Sequence, residues 1–314
     1  MTTEAQITII IPVYNRAEVV KATLNSVAKQ SYRPIDVVLV DNNSSDNTLE
    51  VLNEWKQMVE TNDFRVKVLS ESTPGAPAAR NRGLKEVTTH YTMFFDSDDI
   101  MHPSHVKRAV DAFAQNPQID VVGWNVDIKT LNGSDSHHRF CKNDILYNHI
   151  FHSTFSTQRY AARTNLFRKV GGWNENLQGW NDYELGVRMI LANPSIKKLE
   201  GEATVTVVLQ KVSITGTEFS SKPQCWETSL NAIDKDLENS EQQTMKKYID
   251  VRRVILAGFY HREGAIDDAR RLLGDVLSRS GWYRQLIMKI FYNIIRRGGR
   301  GIALLARPLL CFSK

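Results

Sequence analysis

The segment MFFDSDDIMHP, Met93 to Pro103, places three carboxylates, Asp96, Asp98 and Asp99, directly after an apolar run. Like charges this close repel, and the folded chain has to offset that repulsion. Two readings fit the stretch by itself. In one, a strand ends in a solvated acidic turn, and Ser97, Asp98 or Asp99 caps a helix that begins near Pro103. In the other, oxygen ligands hold a divalent cation together with the phosphates of a substrate.

The elements that must position this cluster follow from the hydrophobic pattern. ITIIIPV (7–13) and IDVVLVD (35–41) are continuous β-branched runs, as in strands buried on both faces. FRVKVLS (64–70) and YTMFF (91–95) predict two further strands. Between them, residues 17–30, 45–59 and 76–87 carry helical patterns, the second with Ser45 or Asp46 as its cap. This alternation implies a parallel sheet with helices on both faces. Ligands of such sheets bind beyond the carboxyl ends of the strands. The polar clusters YNR, DNNSSDN, STPGAP and DSDD fall at four successive strand ends. Further along, 103–115 predicts a helix, 119–128 one strand, LNGSDSHHRF (131–140) a polar loop and 202–210 a strand. The His137-His138 pair has no third ligand at a recognisable spacing and is expected to be exposed.

Bulk properties narrow the class. The 314 residues allow one large domain and a smaller one, and 42% hydrophobic with 24% charged residues is ordinary for a soluble globular protein. Cys141, Cys225 and Cys311 are far apart, which argues against a disulfide framework or a zinc site and fits a reducing cytosol. No secretory signal or membrane-spanning stretch is visible. The net charge of +5 resides in residues 281–314, where Arg284, Lys289, Arg296, Arg297, Arg300, Arg307 and Lys314 meet no acid. The body is near neutral, so nucleic-acid binding is not expected.

ITIIIPVYNR, VVLVDNNSSDNT, PGAPAARNRGL, FFDSDD and GGWNENLQGWNDYELGVRM occur in the order and spacing of the family 2 glycosyltransferases, and the resemblance covers residues 7–220. It implies an α/β, Rossmann-like GT-A fold with a mainly parallel mixed sheet. It also implies inverting transfer of a sugar from a nucleotide diphosphate, most simply a UDP-sugar, to an acceptor hydroxyl on a glycan or lipid-linked acceptor. Carried onto this sequence, Pro12, Tyr14 and Asn15 line the base and ribose pocket, and Asp41 accepts the base N–H. Arg80 reaches the base or phosphates, Asp96 and Ser97 contact the donor, and Asp98, with Asp96, holds Mn²⁺ or Mg²⁺. By the same resemblance Asp182 would be the general base, with Glu184 its nearest competitor. Trp173 and Trp180 are either core or an acceptor platform. Two departures stand out. Asn181 replaces the first of two acids found in many relatives, and LQKVSITGTEFSS lacks the loop histidine, a place where Lys211 could act only electrostatically. The rival reading is a non-catalytic transferase fold kept as a scaffold.

The domain boundaries expected are 1–225 for the catalytic domain, 226–280 for a helical extension and 281–314 for a basic amphipathic tail. Residues 255–277 resemble one tetratricopeptide-type helix pair through Ala257, Tyr260, Gly264, Ala269 and Leu272, a unit expected to pack on the catalytic domain or form a homodimer rather than to make a peptide-binding groove. In the tail, Leu286, Ile287, Ile290, Phe291, Ile294 and Ile295 share one stripe. That pattern suits either a helix on an anionic membrane surface, giving a peripheral protein on the cytoplasmic face, or a helix packed on the protein.

Overall fold

Ile7–Val13 is buried at every position and forms β1, an interior strand of the large sheet. The computed structural model describes residues 6–130, 133, 135–209 and 218–311. From the N-terminus the elements are β1, α1 (Val20–Ala28), β2 (Ile35–Asp41), α2 (Thr48–Val59), β3 (Phe64–Ser70), α3 (Ala76–Lys85) and β4 (Tyr91–Phe94). Then come β5 (Ile100–Met101), α4 (His105–Gln115), β6 (Val121–Gly123), β7 (Val126–Lys129), β8 (Ser136–His138) and α5 (Ile145–His152). After these follow β9 (Tyr160–Arg163), α6 (Thr164–Lys169), α7 (Asn181–Leu191), β10 (Ile196–Lys198) and β11 (Val205–Val208). The helical region comprises α8 (Pro223–Glu238), α9 (Lys246–Arg262), α10 (Ile266–Ser278), α11 (Trp282–Arg296) and α12 (Ile302–Leu310).

The chain divides into two compact units. The first contains Met1–Ile145 and Thr154–Lys211, the second Leu146–Ser153 and Val212–Lys314. In the first, a seven-stranded sheet runs β10-β6-β9-β4-β1-β2-β3. It is parallel except at β9, which lies antiparallel between β4 and β6. The chain winds from β1 out to β3 and returns to place β4 on the other side of β1, so the switch point lies between β1 and β4. The edge strand β3 alternates buried Phe64 and Val66 with exposed Arg65 and Lys67, charges that blunt an open edge.

The structure changes several sequence-based expectations. Residues 119–128 are two strands, because the chain leaves the large sheet after Gly123 and enters a second sheet of order β5-β11-β7-β8. Gly123 is needed there: a Cβ would lie 2.2 Å from the Phe140 ring. The polar loop contains β8, exposed and paired to β7, and His137 bonds Asp127 at 2.7 Å. No helix is capped by the acidic turn; β5 intervenes and α4 begins at His105. Asp46 does serve the start of α2, accepting the Thr48 N–H at 3.0 Å. Lys211 and most of the loop around it lie outside the described residues.

The second unit takes in α5 as well as α8–α12, a membership that residues 146–153 do not announce in sequence. In it α9 and α10 are joined by a turn at Gly264 with φ +90°. Buried Asp250 on α9 faces Arg253 at 3.4 Å, Arg284 at 3.1 Å and Arg279, an ion cluster that ties α9 to α11. Among the described residues no helix is long and apolar enough to cross a membrane.

Helix α3 sits unusually close to the sheet. A Cβ on Gly83 would lie 2.5 Å from Ile10 Cγ2 and 3.3 Å from Val40 Cγ2, so only glycine allows the approach. Gly83→Val is expected to cost about 1–3 kcal/mol through overpacking. Urea unfolding followed by circular dichroism checks this, and an unchanged midpoint would contradict the close seating of α3.

Candidate active site

The loop after β1 is locked to the loop after β2. The Asn15 N–H donates to Ser44 Oγ at 3.0 Å, and Asn15 Oδ1 accepts the Ser45 N–H at 2.8 Å. Asn15 holds φ +48°, a left-handed conformation that asparagine tolerates. Its side chain is therefore engaged in building the site. Pro12 is buried in β1 opposite Val40, whereas Tyr14 stands 57% exposed beside the two loops. Buried Asp41 accepts the Ser44 N–H through Oδ2 at 3.2 Å. Its Oδ1 has no partner among the described residues, an acceptor left for a ligand donor. Asn42, not singled out in the sequence, donates to the Glu71 and Thr73 carbonyls and accepts the Gly75 N–H at 2.7 Å, which fastens the entry to α3.

The three carboxylates after β4 go to three different partners. Asp96 accepts from Arg80 Nη2 at 2.7 Å through Oδ1 and from Gln158 through Oδ2. Asp98 has Arg16 at 3.8 Å. Asp99, 1% exposed, accepts the Val208 N–H of β11 at 3.0 Å, and its other oxygen has no partner among the described residues. Ser97 is buried in the turn between them. Burial, then the charge of Asp96, raises the Asp99 carboxyl to about 8, so it keeps its proton near neutral pH. Burial and then Asp96 also raise Asp98, which Arg16 opposes.

Arg80 is the hub. Beyond Asp96 it donates to Asn181 Oδ1 at 3.1 Å, and its guanidinium lies 4.2 Å from the Trp173 ring centre. Trp173 is only 2% exposed and packs edge-on against Phe94 at 5.2 Å. It is thus core beneath Arg80, not an acceptor platform. Trp180 is half-buried, with φ +47° at the head of α7, and its ring meets Tyr183 edge-on at 5.9 Å. Asn81, one residue after Arg80, donates to the Trp173 carbonyl at 2.8 Å and accepts its N–H at 2.9 Å. Gly172, φ +68°, makes room, since a Cβ there would lie 2.6 Å from Asn81 Oδ1.

The two acids of α7 differ sharply. Buried Glu184 is committed to Arg188 by bonds of 2.8 and 2.7 Å, and Arg188 in turn donates to the Gly172 carbonyl at 2.8 Å. Asp182 is half-buried and accepts its neighbour's N–H from Tyr183 at 2.8 Å. Burial raises its pKa most; Arg80 opposes this and Asp96 adds to it. That electrostatic coupling puts Asp182 in the field of the Arg80–Asp96 pair.

Among the described residues no three His, Cys, Asp or Glu side chains form a metal cage. The donor set nevertheless fits a hard cation. Such ions commonly bind through one or two carboxylates, with substrate phosphates and water completing the shell. Asp98 offers an oxygen donor whose carboxyl is raised first by burial and then by the charge of Asp96. Asp96, expected as a second ligand, has both oxygens engaged by Arg80 and Gln158. The sequence gives no sign of Gln158, 62 residues from its partner, and Asp99, expected with its neighbours as a cation ligand or a helix cap, instead accepts from β11, 109 residues on.

A doubly covered sheet of this order, with acids at its switch point, is the GT-A glycosyltransferase architecture. Residues 8–172 match the family described as Glycosyl transferase family 2, and the chain belongs to that family. Glycosyltransferase AglE of Haloferax volcanii is 29% identical over 163 residues, 51% of each chain. GlyA of Streptococcus pneumoniae is 34% identical over 107 residues, 34% of this chain and 15% of its own. The chain thus spans about half or less of the length of these two relatives. S. aureus TarS 1-349, solved with UDP-GlcNAc, is 20% identical with a TM-score of 0.68, covering 94% of this chain and 92% of that one. The mannosyltransferase PcManGT from Pyrobaculum calidifontis, solved with GDP-Man and Mn²⁺, is 16% identical with a TM-score of 0.56, covering 98% and 87%.

The raised Asp99 carboxyl makes stability depend on pH. The unfolded chain loses this proton near 3.8 and the folded chain near 8, so between those values the unfolded state binds fewer protons. Stability then falls as pH rises. Asp99→Asn is expected to flatten that fall, gaining on the order of 2–4 kcal/mol over wild type at about pH 8 relative to about pH 5. Urea unfolding at both pH values in EDTA checks it; parallel curves would contradict the assignment.

Proposed function

We propose that the chain transfers a hexosyl group, with inversion, from a UDP-sugar to a hydroxyl of a growing surface glycan on a lipid carrier at the cytoplasmic face of the membrane. The observation that carries this reading is the division of labour among the acids. Asp41 keeps an unpartnered buried oxygen, Asp96 is neutralised by Arg80, Asp98 remains for a cation, and Asp182 is left uncommitted while Glu184 is tied to Arg188. A binding-only scaffold has no need of both Asp98, with only a 3.8 Å ion pair, and Asp182, with only a neighbouring backbone bond. The TarS complex with UDP-GlcNAc supports a uridine donor. So does Asp41, whose free acceptor suits the N–H of a uracil ring. A 30% identical stretch of 123 residues in the poly-beta-1,6-N-acetyl-D-glucosamine synthase of Staphylococcus epidermidis, 39% of this chain and 29% of that one, supports a polysaccharide acceptor.

In this reading the acceptor oxygen attacks the anomeric carbon as the bond to the diphosphate breaks, and a single displacement inverts that centre. Asp182 takes the hydroxyl proton. Arg80 holds the donor side of the cleft, and Tyr14 offers a ring face to the base. A Mn²⁺ or Mg²⁺ ion held by Asp98 would neutralise charge on the departing diphosphate.

Asp98→Ala is expected to abolish the gain in UDP affinity that Mn²⁺ gives. Titration calorimetry with Mn²⁺ and with EDTA measures it, and wild-type affinity in Mn²⁺ would overturn the ligand assignment.

Asp182→Asn is expected to lower transfer by about 10²–10⁴-fold while leaving UDP affinity nearly unchanged. The base acts when deprotonated, so the wild-type rate should rise with pH through a value above the ordinary carboxylate range. Transfer by Asp182→Asn within a few fold of wild type would remove Asp182 from the role. Loss in Glu184→Gln alone would move the role there.

A further inference from the structure

Helix α11 is apolar on two opposite faces. Ile287, Phe291 and Ile295 are buried, and Ile295 fills the space left by Gly258 of α9, where a Cβ would lie 2.3 Å away. On the outer face Trp282, Leu286 and Ile290 recur at every fourth residue and are 79%, 53% and 46% exposed. At 3.6 residues per turn, Lys289 and Arg297 fall on this same outer face, within about 60° of Leu286. Both are exposed. Beside Ile290 the surface dips into an open depression bounded by Ile294 and Arg297. No acid occurs anywhere after Asp275.

We propose that this outer face of α11 is a docking surface for anionic phospholipid. The inference stands apart from the identity of the transferred sugar. A surface helix with apolar anchors, an aromatic at one end and cations flanking them lies in the interfacial layer, with its apolar side chains at the acyl boundary and its cations at headgroup phosphates. Charge selects this occupant over a second copy of the chain. An isologous pairing of this face would bring two faces of the same positive sign together, with no acid on the helix to relieve Lys289 and Arg297. The ion cluster on Asp250 belongs to the opposite, inward side, so docking need not disturb the packing of α11 on α9.

The test uses the full chain and sedimentation with vesicles of phosphatidylcholine, alone or mixed with phosphatidylglycerol. Binding is expected to the mixed vesicles only, and to weaken with salt. Lys289→Ser and Arg297→Ser should each lower partitioning about fivefold. Leu286→Ser with Ile290→Ser should lower it at least about tenfold. UDP affinity and the thermal midpoint should stay as in wild type, since the altered side chains are exposed. Equal binding to neutral vesicles, no binding at low salt, or unchanged binding by the variants overturns the proposal. So does a large fall in the midpoint of the double variant, which would show the face to be packed. A wild-type dimer that the double variant dissolves, without vesicle binding by either, assigns the face to a second copy instead.

Discussion

Three carboxyl groups at the end of one strand cannot all remain ionised and unpartnered, and the architecture around β4 is organised by that constraint. Each of the three is relieved differently. Asp96 receives a nearly buried guanidinium and an amide, Asp98 faces a distant, partly solvated arginine, and Asp99 is buried deeply enough to keep its proton. The partners come from separate parts of the chain: Arg80 from α3, Gln158 from the turn before β9, Arg16 from the loop after β1, and Val208 from β11. The second sheet is therefore attached to the chemistry, because its strand β11 supplies the N–H that Asp99 accepts.

The neutralisation is uneven, and that unevenness separates roles. Arg80 is buried and Asp96 half-buried, and removing either would leave the other's charge poorly compensated, so the two act as a unit. Asp98, with 3.8 Å to a half-exposed Arg16, keeps most of its capacity for another cation. The same logic separates the acids of α7. Glu184 makes a two-bond pair with Arg188, one turn along the helix, whereas Asp182 receives only a neighbouring backbone N–H.

Much of this fold was legible because its signals are local. Runs such as ITIIIPV and IDVVLVD read as strands covered on both faces, and the polar residues after them are the ones that join the loops after β1 and β2. Position along the sequence could not reveal where 119–128 breaks, because the break depends on the Phe140 ring occupying the space over Gly123. Nor could it reveal Gln158, an amide in a short 3₁₀ turn that acquires a role only when β9 inserts between β4 and β6. Trp173 was ambiguous for a related reason: stacking surface and core tryptophan have the same composition, and only the guanidinium above it decides. In α11 the periodicity was visible, but the amphipathic stripe was too wide for one face. Ile287, Phe291 and Ile295 turn inward while Leu286 and Ile290 turn out.

The clamp made by Asn81 has a mechanical meaning. From Arg80 the contacts run through Trp173 and Gly172 to Arg188 and Glu184, and from Arg80 again to Asn181 at the head of the same helix. This is a closed circuit joining α3 and α7 at two points, and two attachments remove the freedom of one helix to pivot on the other. Gly83 removes the remaining play by seating α3 hard on β1 and β2. Asp182 and Arg80 consequently share one frame of reference. A shift of segments outside that frame leaves the spacing between the two groups unchanged.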